Sequence, residues 1–181
     1  MTINISLMSC LCCIEVVKDE LKKMKIEYNN VDFGTADIIK ELTQKKLDVL
    51  DKRLQKYEMN LLYTEEEIEA DKVCVIIIKM FNHNKKKPET SYPEYIAALM
   101  NCDFDSLDKR FIKTMGYSIN QYITLTRIKR AKQMLECEGY DIDEIASILH
   151  YSDEIEFLKH FKKETGCQIR IVNLSNHNNQ A

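Results

Sequence analysis

The sequence has few of the residues that interrupt helices, with four glycines and two prolines among 181 residues. No segment is low in complexity, and 45% of the residues are hydrophobic while 30% are charged, which is typical of a folded, helix-rich protein. Long hydrophobic runs are missing too, because the longest, residues 73–78, is far shorter than the roughly 20 residues that span a bilayer. The N-terminus lacks the basic segment and cleavage site of a secretory signal. We therefore expect a cytoplasmic protein without a membrane partner.

An excess of positive charge is also absent. The net charge is −3 and the isoelectric point about 5.9, whereas an isolated domain that binds the phosphate backbone of nucleic acids is usually basic. Acidic side chains concentrate in residues 64–71, which we interpret as a linker that runs into a helix start, where carboxylates are favoured. These acids are Glu65, Glu66, Glu67, Glu69 and Asp71.

The first 63 residues alternate between the two periods of secondary structure. Residues 2–7 have strand periodicity, 13–25 have helical periodicity, and 28–33 form a second strand closed by Gly34. A short strand near Ile38 follows, then a helix capped by Thr43, then a strand over 59–63. This order predicts a ferredoxin-like α/β sandwich over residues 1–63. The apolar stripes of the two helices are Ile14, Val17, Leu21 and Met24, and Leu47, Leu50, Leu54 and Tyr57.

Seven cysteines, an odd number without regular spacing, predict free thiols in a reducing compartment. Three of them crowd into the turn between the first strand and the first helix, where Cys10 and Cys13 form a Cys-x-x-Cys pair with Cys12 inside it. A helix N-terminus favours thiolate, and two thiolates suit Cu(I) or, with added ligands, Zn(II). Residues 2–63 resemble the heavy-metal-associated domains of copper chaperones and transport ATPases, which implies a metal site at Cys10 and Cys13, with Cys12 as a third candidate. A redox dithiol and cysteines without a metal role are the alternatives.

The remaining chain contains the same helix pair twice. A buried helix is predicted over residues 72–81, and short apolar faces flank a turn at 101–103 before a helix that ends at Gly116. Ser118 is the predicted N-cap of a long helix, after which a second helix, turn and helix end at Gly166. The stripe of the long helix is Tyr122, Leu125, Ile128, Ala131 and Leu135, and the second pair is built on Ile142, Ile145, Ala146, Leu149, Phe157 and Phe161.

The spacing of certain residues in this half supports a second family resemblance. They are Tyr122-Ile123, Arg127, Ala131, Leu135, Ile142-x-x-Ile145-Ala146, Phe157-x-x-x-Phe161-Lys162-Lys163 and Gly166. This pattern resembles the double helix-turn-helix domain of AraC/XylS-type transcription regulators. The resemblance implies that residues 72–170 are an all-α domain whose recognition helices, 105–115 and 153–164, enter the major groove of double-stranded DNA. The implied contact residues are Ser106, Lys109, Arg110 and Lys113 in the first helix, and Ser152, Lys159, His160, Lys162 and Lys163 in the second.

Acidic residues surround both predicted recognition helices. Asp103, Asp105 and Asp108 lie around the first, and Asp153, Glu154 and Glu156 open the second; carboxylates that face phosphates reduce nonspecific affinity. Two hypotheses therefore stay open for this α+β chain with its polar tail, 171–181. One is a DNA-binding transcription regulator that responds to a soft metal. The other is a metal-binding or metal-buffering protein whose helical domain docks a protein partner. An enzyme is not expected, because no nucleophile–base arrangement or phosphate-binding glycine loop is present.

Overall fold

Residues 2–62 contain a small antiparallel sheet with two helices between its strands, and further helices follow, which makes the fold mixed α+β. The computed structural model describes residues 1–8, 11–82, 88–167 and 169, so Cys10 and the tail 171–181 lie outside the described residues. The elements are β1 (Thr2–Ile5), α1 (Leu11–Lys23), β2 (Tyr28–Asp32), β3 (Thr35–Ile38), α2 (Gln44–Leu54), β4 (Leu61–Leu62), α3 (Glu65–Asn82), α4 (Tyr92–Met100), α5 (Phe104–Met115), α6 (Ile119–Gln133), α7 (Ile142–Ile148) and α8 (Glu154–Thr165).

The four strands have the order β2-β3-β1-β4, and every neighbouring pair is antiparallel. β3 lies where the short strand near Ile38 was predicted, and it forms a hairpin with β2 that turns at Gly34. β4 is shorter than the predicted strand over 59–63, since only Leu61 and Leu62 pair with β1. Side chains of β1, α1 and α2 fill the core beside the sheet, and Ile5, Leu21 and Leu50 are fully buried in it.

One carboxylate in this core joins the two helices. Glu20 of α1 is only 4% exposed and pairs with Lys23 and with Arg53 of α2. The hydrogen bond from Lys23, together with Arg53, holds the pKa of Glu20 below its ordinary value, although burial opposes this. Tyr57, predicted in the apolar stripe of α2, is 46% exposed, because the chain tightens into a 3-10 turn over Gln55–Tyr57 after α2 ends.

The chain divides into two compact units, residues 1–126 and 127–181. In the first, the predicted acidic linker is helical from Glu65 onward, and Glu67 accepts the backbone N–H groups of Tyr63 and Thr64 as it starts α3. Asp71, on the second turn of α3, accepts the N–H of Leu7 at 2.8 Å. The sheet and α3 therefore belong to one unit, and the domain boundaries drawn from the sequence stay a prediction.

Local signals fix the ends of the later helices. Asp103 and Asp153 cap α5 and α8, and Gly116 and Gly166 end them in the left-handed conformation. Ser118 and Gln121 form a reciprocal cap at the start of α6, as the sequence predicted for Ser118. The long helix departs from the prediction in two ways: Leu125 of α6 is 53% exposed, and α6 continues into a wider π-type turn over Met134–Glu138. Among the described helices, none has the length and apolar character needed to cross a bilayer.

Candidate nucleic-acid interface

The first helix-turn-helix consists of α4, a turn at Asn101 and α5. Asn101 adopts a positive φ of 50°, which reverses the chain. Leu107 and Phe111 bury one side of α5, and the Phe111 ring lies 6.1 Å from the rings of Tyr117 and Tyr122. This packing leaves the other side in solvent. The exposed side chains of that side are Asp105, Ser106, Lys109, Arg110, Ile112 and Lys113.

The second helix-turn-helix consists of α7, a turn at His150 and α8. His150 adopts a positive φ of 61°, a conformation that costs a non-glycine residue about 1 to 2 kcal/mol. Phe157 and Phe161 bury one side of α8, and the Phe157 ring lies 5.3 Å from Tyr151. The other side is again in solvent. Its exposed side chains include Ile155, Lys159, Lys162 and Lys163.

The exposed sides of α5 and α8 are formed by residues at equivalent positions of the two helices. Phe111 and Gly116 of the first unit recur as Phe161 and Gly166, so equivalent residues are 50 positions apart. On this alignment four exposed positions fall on one face of each helix, with the spacing i, i+4, i+7, i+8. We call these the α5 face, Asp105, Lys109, Ile112 and Lys113, and the α8 face, Ile155, Lys159, Lys162 and Lys163.

Arg110 is exposed, but its guanidinium already has a partner. Its Nε donates to Oε2 of Glu69 at 2.7 Å, and its Nη2 donates to Oε1 at 2.9 Å, which joins α5 to α3. The hydrogen bond from Arg110 lowers the pKa of the Glu69 carboxyl, and the same pair raises the pKa of Arg110. A DNA phosphate would have to compete with this bidentate pair, so the predicted contact from Arg110 stays a prediction that the geometry does not favour.

Two predicted contact residues of the second unit also have intramolecular partners. The backbone N–H and the hydroxyl of Ser152 both donate to Oε2 of Glu156 at 2.7 Å. Nδ1 of His160 lies 2.6 Å from the hydroxyl of Tyr151, and its Nε2 lies 3.7 Å from Glu164. Burial lowers the pKa of His160. Ser152 therefore helps to fix the start of α8, and His160 helps to fix its inner side against Tyr151.

Arg127 of α6 helps to orient the second helix-turn-helix, a role that its place in the sequence pattern does not indicate. Arg127 of α6 stacks its guanidinium over the Tyr151 ring at 3.7 Å and donates from Nε to the carbonyl of Leu149 at 3.0 Å. Tyr151 in turn contacts His160 on α8. Arg127 thus holds the turn that precedes α8. No local pattern in the sequence indicates that Arg127 contacts this turn.

Three of the six acids around the two helices accept backbone N–H groups at helix starts. Asp103 accepts the N–H of Ser106 at 2.9 Å, Asp153 that of Glu156 at 2.7 Å, and Asp108 that of Ile119 at 2.7 Å. The hydrogen bonds from Ser106 lower the pKa of Asp103. Carboxylates at these places face the positive ends of helix dipoles, which offsets part of their charge. The acidic composition is therefore a weaker argument against DNA than the sequence suggests.

The predicted metal turn is described only in part. Cys13 is half-buried, and its sulfur lies 3.9 Å from the Leu7 carbonyl oxygen. Cys12 is disulfide-bonded, so the expectation of free thiols alone is wrong at this residue. Within the described ranges no group of three or more His, Cys, Asp or Glu side chains has a metal-binding arrangement. Because Cys10 lies outside the described residues, the predicted Cu(I) or Zn(II) ligand set stays a prediction.

The family model described as a helix-turn-helix domain matches residues 96–171, which contain the second helix pair and the first pair from within α4 onward. The match therefore supports a helix-turn-helix domain over these residues. This confirms the coarse part of the second resemblance, while the heavy-metal-associated resemblance of the N-terminal region is unconfirmed.

Individual proteins are similar to the region that contains this helix-turn-helix domain. The Msm operon regulatory protein of Streptococcus mutans is 31% identical over 109 residues, which are 60% of this chain; the match spans 39% of that relative's length. The C-terminal domain of AraT, a response regulator from Geobacillus stearothermophilus, matches over 64% of this chain and 97% of its own, with 21% identity and a TM-score of 0.50. A DNA-binding transcriptional dual regulator from Escherichia coli K-12 matches over 55% of this chain and 84% of its own, with 23% identity and a TM-score of 0.46.

Proposed function

We propose that this chain acts as a DNA-binding transcription regulator that contacts double-stranded DNA with the α5 face and the α8 face. The observation that carries the proposal is that both faces are exposed at equivalent positions and carry five lysines, while the hydrophobic sides of the same helices are buried. The helix-turn-helix domain supports it, because the second helix of such a unit enters the major groove and contacts base edges with its first residues.

The two faces differ at the residue that would meet the bases. Ile155, in the first turn of α8, is 57% exposed, and an exposed apolar side chain there suits the methyl group of thymine. Asp105 holds the equivalent position in α5 and suits the amino group of cytosine as a hydrogen-bond acceptor. The lysines in the later turns of the two helices would bind phosphates and fix the register.

The test is selection of duplexes from a random pool by the full chain, followed by anisotropy titrations on the enriched sequence. Asp105→Ala is expected to relax base preference at one position, and Ile155→Ala at another, each by about 1 to 3 kcal/mol of discrimination. Lys45→Ala, at an exposed position of α2, serves as the matched control and should leave the enriched sequence unchanged. A pool without an enriched motif would contradict sequence-specific binding.

Salt separates this proposal from its alternative. Affinity for a duplex that depends on phosphate contacts falls steeply as salt rises, because counterions are released on binding. A helical domain that docks only a protein partner would show no duplex binding even at low salt. That second result would favour the metal-buffering alternative.

A response to a soft metal at the Cys10–Cys13 turn is a separate proposal, supported only by the spacing of the thiols at a helix start. Its test compares DNA affinity with and without Cu(I) under reducing conditions. A regulator that senses the metal must bind one state more tightly than the other. Equal affinity in both conditions would reject sensing, and a Cys13→Ser variant that abolishes any difference would assign it to this turn.

A further inference from the structure

A cleft of about 340 Å³ opens in the first unit between the β2–β3 hairpin, α3 and α4. Its volume lies at the lower end of the range of small-molecule sites, about 300 to 1,000 Å³. Two large apolar side chains at its edge are unusually exposed, Phe33 at 40% and Leu99 at 54%. Apolar side chains clustered at one concave surface mark a binding site more often than apolar residues scattered singly.

The floor of the cleft is one face of α3. Val73, Cys74 and Ile77 are buried on the opposite face, which packs into the helical part of the unit. Val75 and Ile76 line the cleft and are only half-buried. This explains why α3 is hydrophobic on more than one side: one face completes the core, and the other faces the cleft.

Polar residues also line the cleft: Asp71, Lys72 and Lys79 on α3, and Asn4 and Thr35 on the sheet. Lys79 lines the cleft with its Nζ 4.4 Å from the centre of the Phe33 ring. Among residues that the structure describes, no carboxylate lies within ion-pair distance of Lys79. Asp71 lies eight residues earlier on α3, about 12 Å along the helix axis, and already accepts the Leu7 N–H. Burial raises the pKa of Asp71.

We infer that this cleft binds a small organic acid, whose carboxylate pairs with Lys79 and whose apolar body packs along Val75 and Ile76. The Lys79 ammonium is partly shielded by the Phe33 ring and, among the described residues, has no carboxylate at ion-pair distance, so it is suited to a charge-assisted hydrogen bond to a ligand carboxylate. An apolar body of the length of the cleft covers the half-buried side chains between Lys79 and Asp71. The site is distinct from the α5 and α8 faces and does not depend on DNA binding.

The experiment is calorimetric titration of the full chain with three probes that share one apolar body: phenylpropionate, phenylpropanol and phenylpropylamine. The acid is expected to bind about tenfold more tightly than the alcohol, the worth of one charge-assisted hydrogen bond, and the amine most weakly. Lys79→Met, which keeps the length and apolar stem of the side chain, should remove the preference for the acid. Lys45→Met, a change at a solvent-exposed lysine of α2, is the matched control and should preserve it.

A second variant tests the cleft independently of charge. Leu99→Ser changes an exposed side chain at the edge and should weaken all three probes by a similar factor without loss of the fold, as checked by circular dichroism. Equal affinity for the three probes, tightest binding of the amine, a preference for the acid that survives Lys79→Met, or no binding of any probe would each overturn the inference. None of these measurements involves DNA, so failure of this inference can be distinguished from failure of the proposed function.

Discussion

The two helix-turn-helix units have the same arrangement of caps and buried residues, but different contacts anchor the second helix of each. Both have a cap aspartate, two buried residues and a terminal glycine at equivalent positions, 50 residues apart. In the first, a cation of the recognition helix itself, Arg110, pairs with Glu69 of α3. In the second, the cation is Arg127, which belongs to the preceding long helix and stacks on Tyr151. The same geometry is thus reached with different contacts.

This difference changes what each recognition helix presents to solvent. The α5 face carries two lysines, one aspartate and one isoleucine, and the nearby guanidinium of Arg110 is engaged by Glu69. The α8 face carries three lysines and one isoleucine, because its anchoring cation is supplied from another helix. We conclude that the second unit is the better candidate for phosphate affinity, whereas the first has the polar residue suited to base discrimination.

The largest expected effect is on the free energy of unfolding, and it tests whether the two compact units, residues 1–126 and 127–181, unfold separately. Phe157→Ala should cost about 3 to 5 kcal/mol, as deletions of buried aromatic rings do, and should abolish the cooperative unfolding of residues 127–181. Phe111→Ala should cost a similar amount in the first unit and leave the second intact. Hydrogen exchange resolved by residue measures both effects. Phe157→Leu is the milder control, and loss of protection in both units from either alanine variant would contradict separate unfolding.

The next effect concerns duplex affinity. Replacing Lys159, Lys162 and Lys163 together by alanine should reduce the slope of log affinity against log salt by about 0.9 for each phosphate that the protein no longer neutralises. The double variant Lys109→Ala with Lys113→Ala should reduce it less, because it removes two cations instead of three. Anisotropy titrations over a salt series give both slopes. Equal reductions in the two variants would contradict the assignment of phosphate affinity mainly to α8.

The two anchoring cations should differ in their contribution to the free energy of unfolding. Arg127→Met leaves the Leu149 carbonyl without this donor and removes the stacking on Tyr151, so a decrease of about 1 to 3 kcal/mol is expected. Arg110→Met breaks a pair in which the arginine side chain is 43% exposed, and exposed pairs contribute less than about 1 kcal/mol. Urea denaturation measures the two decreases. The reverse order would show that the first unit depends more on its cation.

The smallest effect is a pH dependence confined to the second unit. Burial, followed by the charge of Arg127, lowers the pKa of His160 in the folded protein, whereas Glu164 and Glu156 oppose this. The unfolded chain therefore binds a proton first, and stability is lost as pH falls below about 6.5, the ordinary histidine value. Thermal unfolding of wild type and His160→Gln across pH 5 to 8, a span of about three units, measures the difference. An unchanged pH profile in the variant would remove this role from His160.

Local patterns in the sequence were sufficient for the element order and for several caps. The third strand near Ile38, the cap at Ser118 and the ends at Gly116 and Gly166 depend on neighbouring residues, and the structure confirms them. Periodicity failed at Leu125, which is exposed although it fits the predicted apolar stripe, since the buried positions of α6 include Ile119, Ile123 and Ile128. A helical period identifies a face only when its phase is known, and neighbouring helices set that phase.

Contacts between distant residues could not be predicted in this way. Arg110 is a plausible phosphate contact by position, but Glu69, 41 residues away, engages its guanidinium. The acids around α5 and α8 were interpreted as repulsive, whereas three of them accept backbone N–H groups at helix starts. In both cases the folded chain determines which partner a charged group contacts. The exposure of Ile112 and Ile155 depends on which side of each helix is buried, and packing in the folded chain sets that side.

The first two turns of α3 hold carboxylates that face two different elements. Glu69 binds the recognition helix α5, and two residues later Asp71 binds Leu7 beside β1. A fragment that starts at residue 72, where the sequence places the domain boundary, would lack both attachments and begin in mid-helix. Boundaries for a minimal DNA-binding fragment should therefore be placed before Thr64, so that the helix cap, both carboxylates and the seating of α5 are retained together.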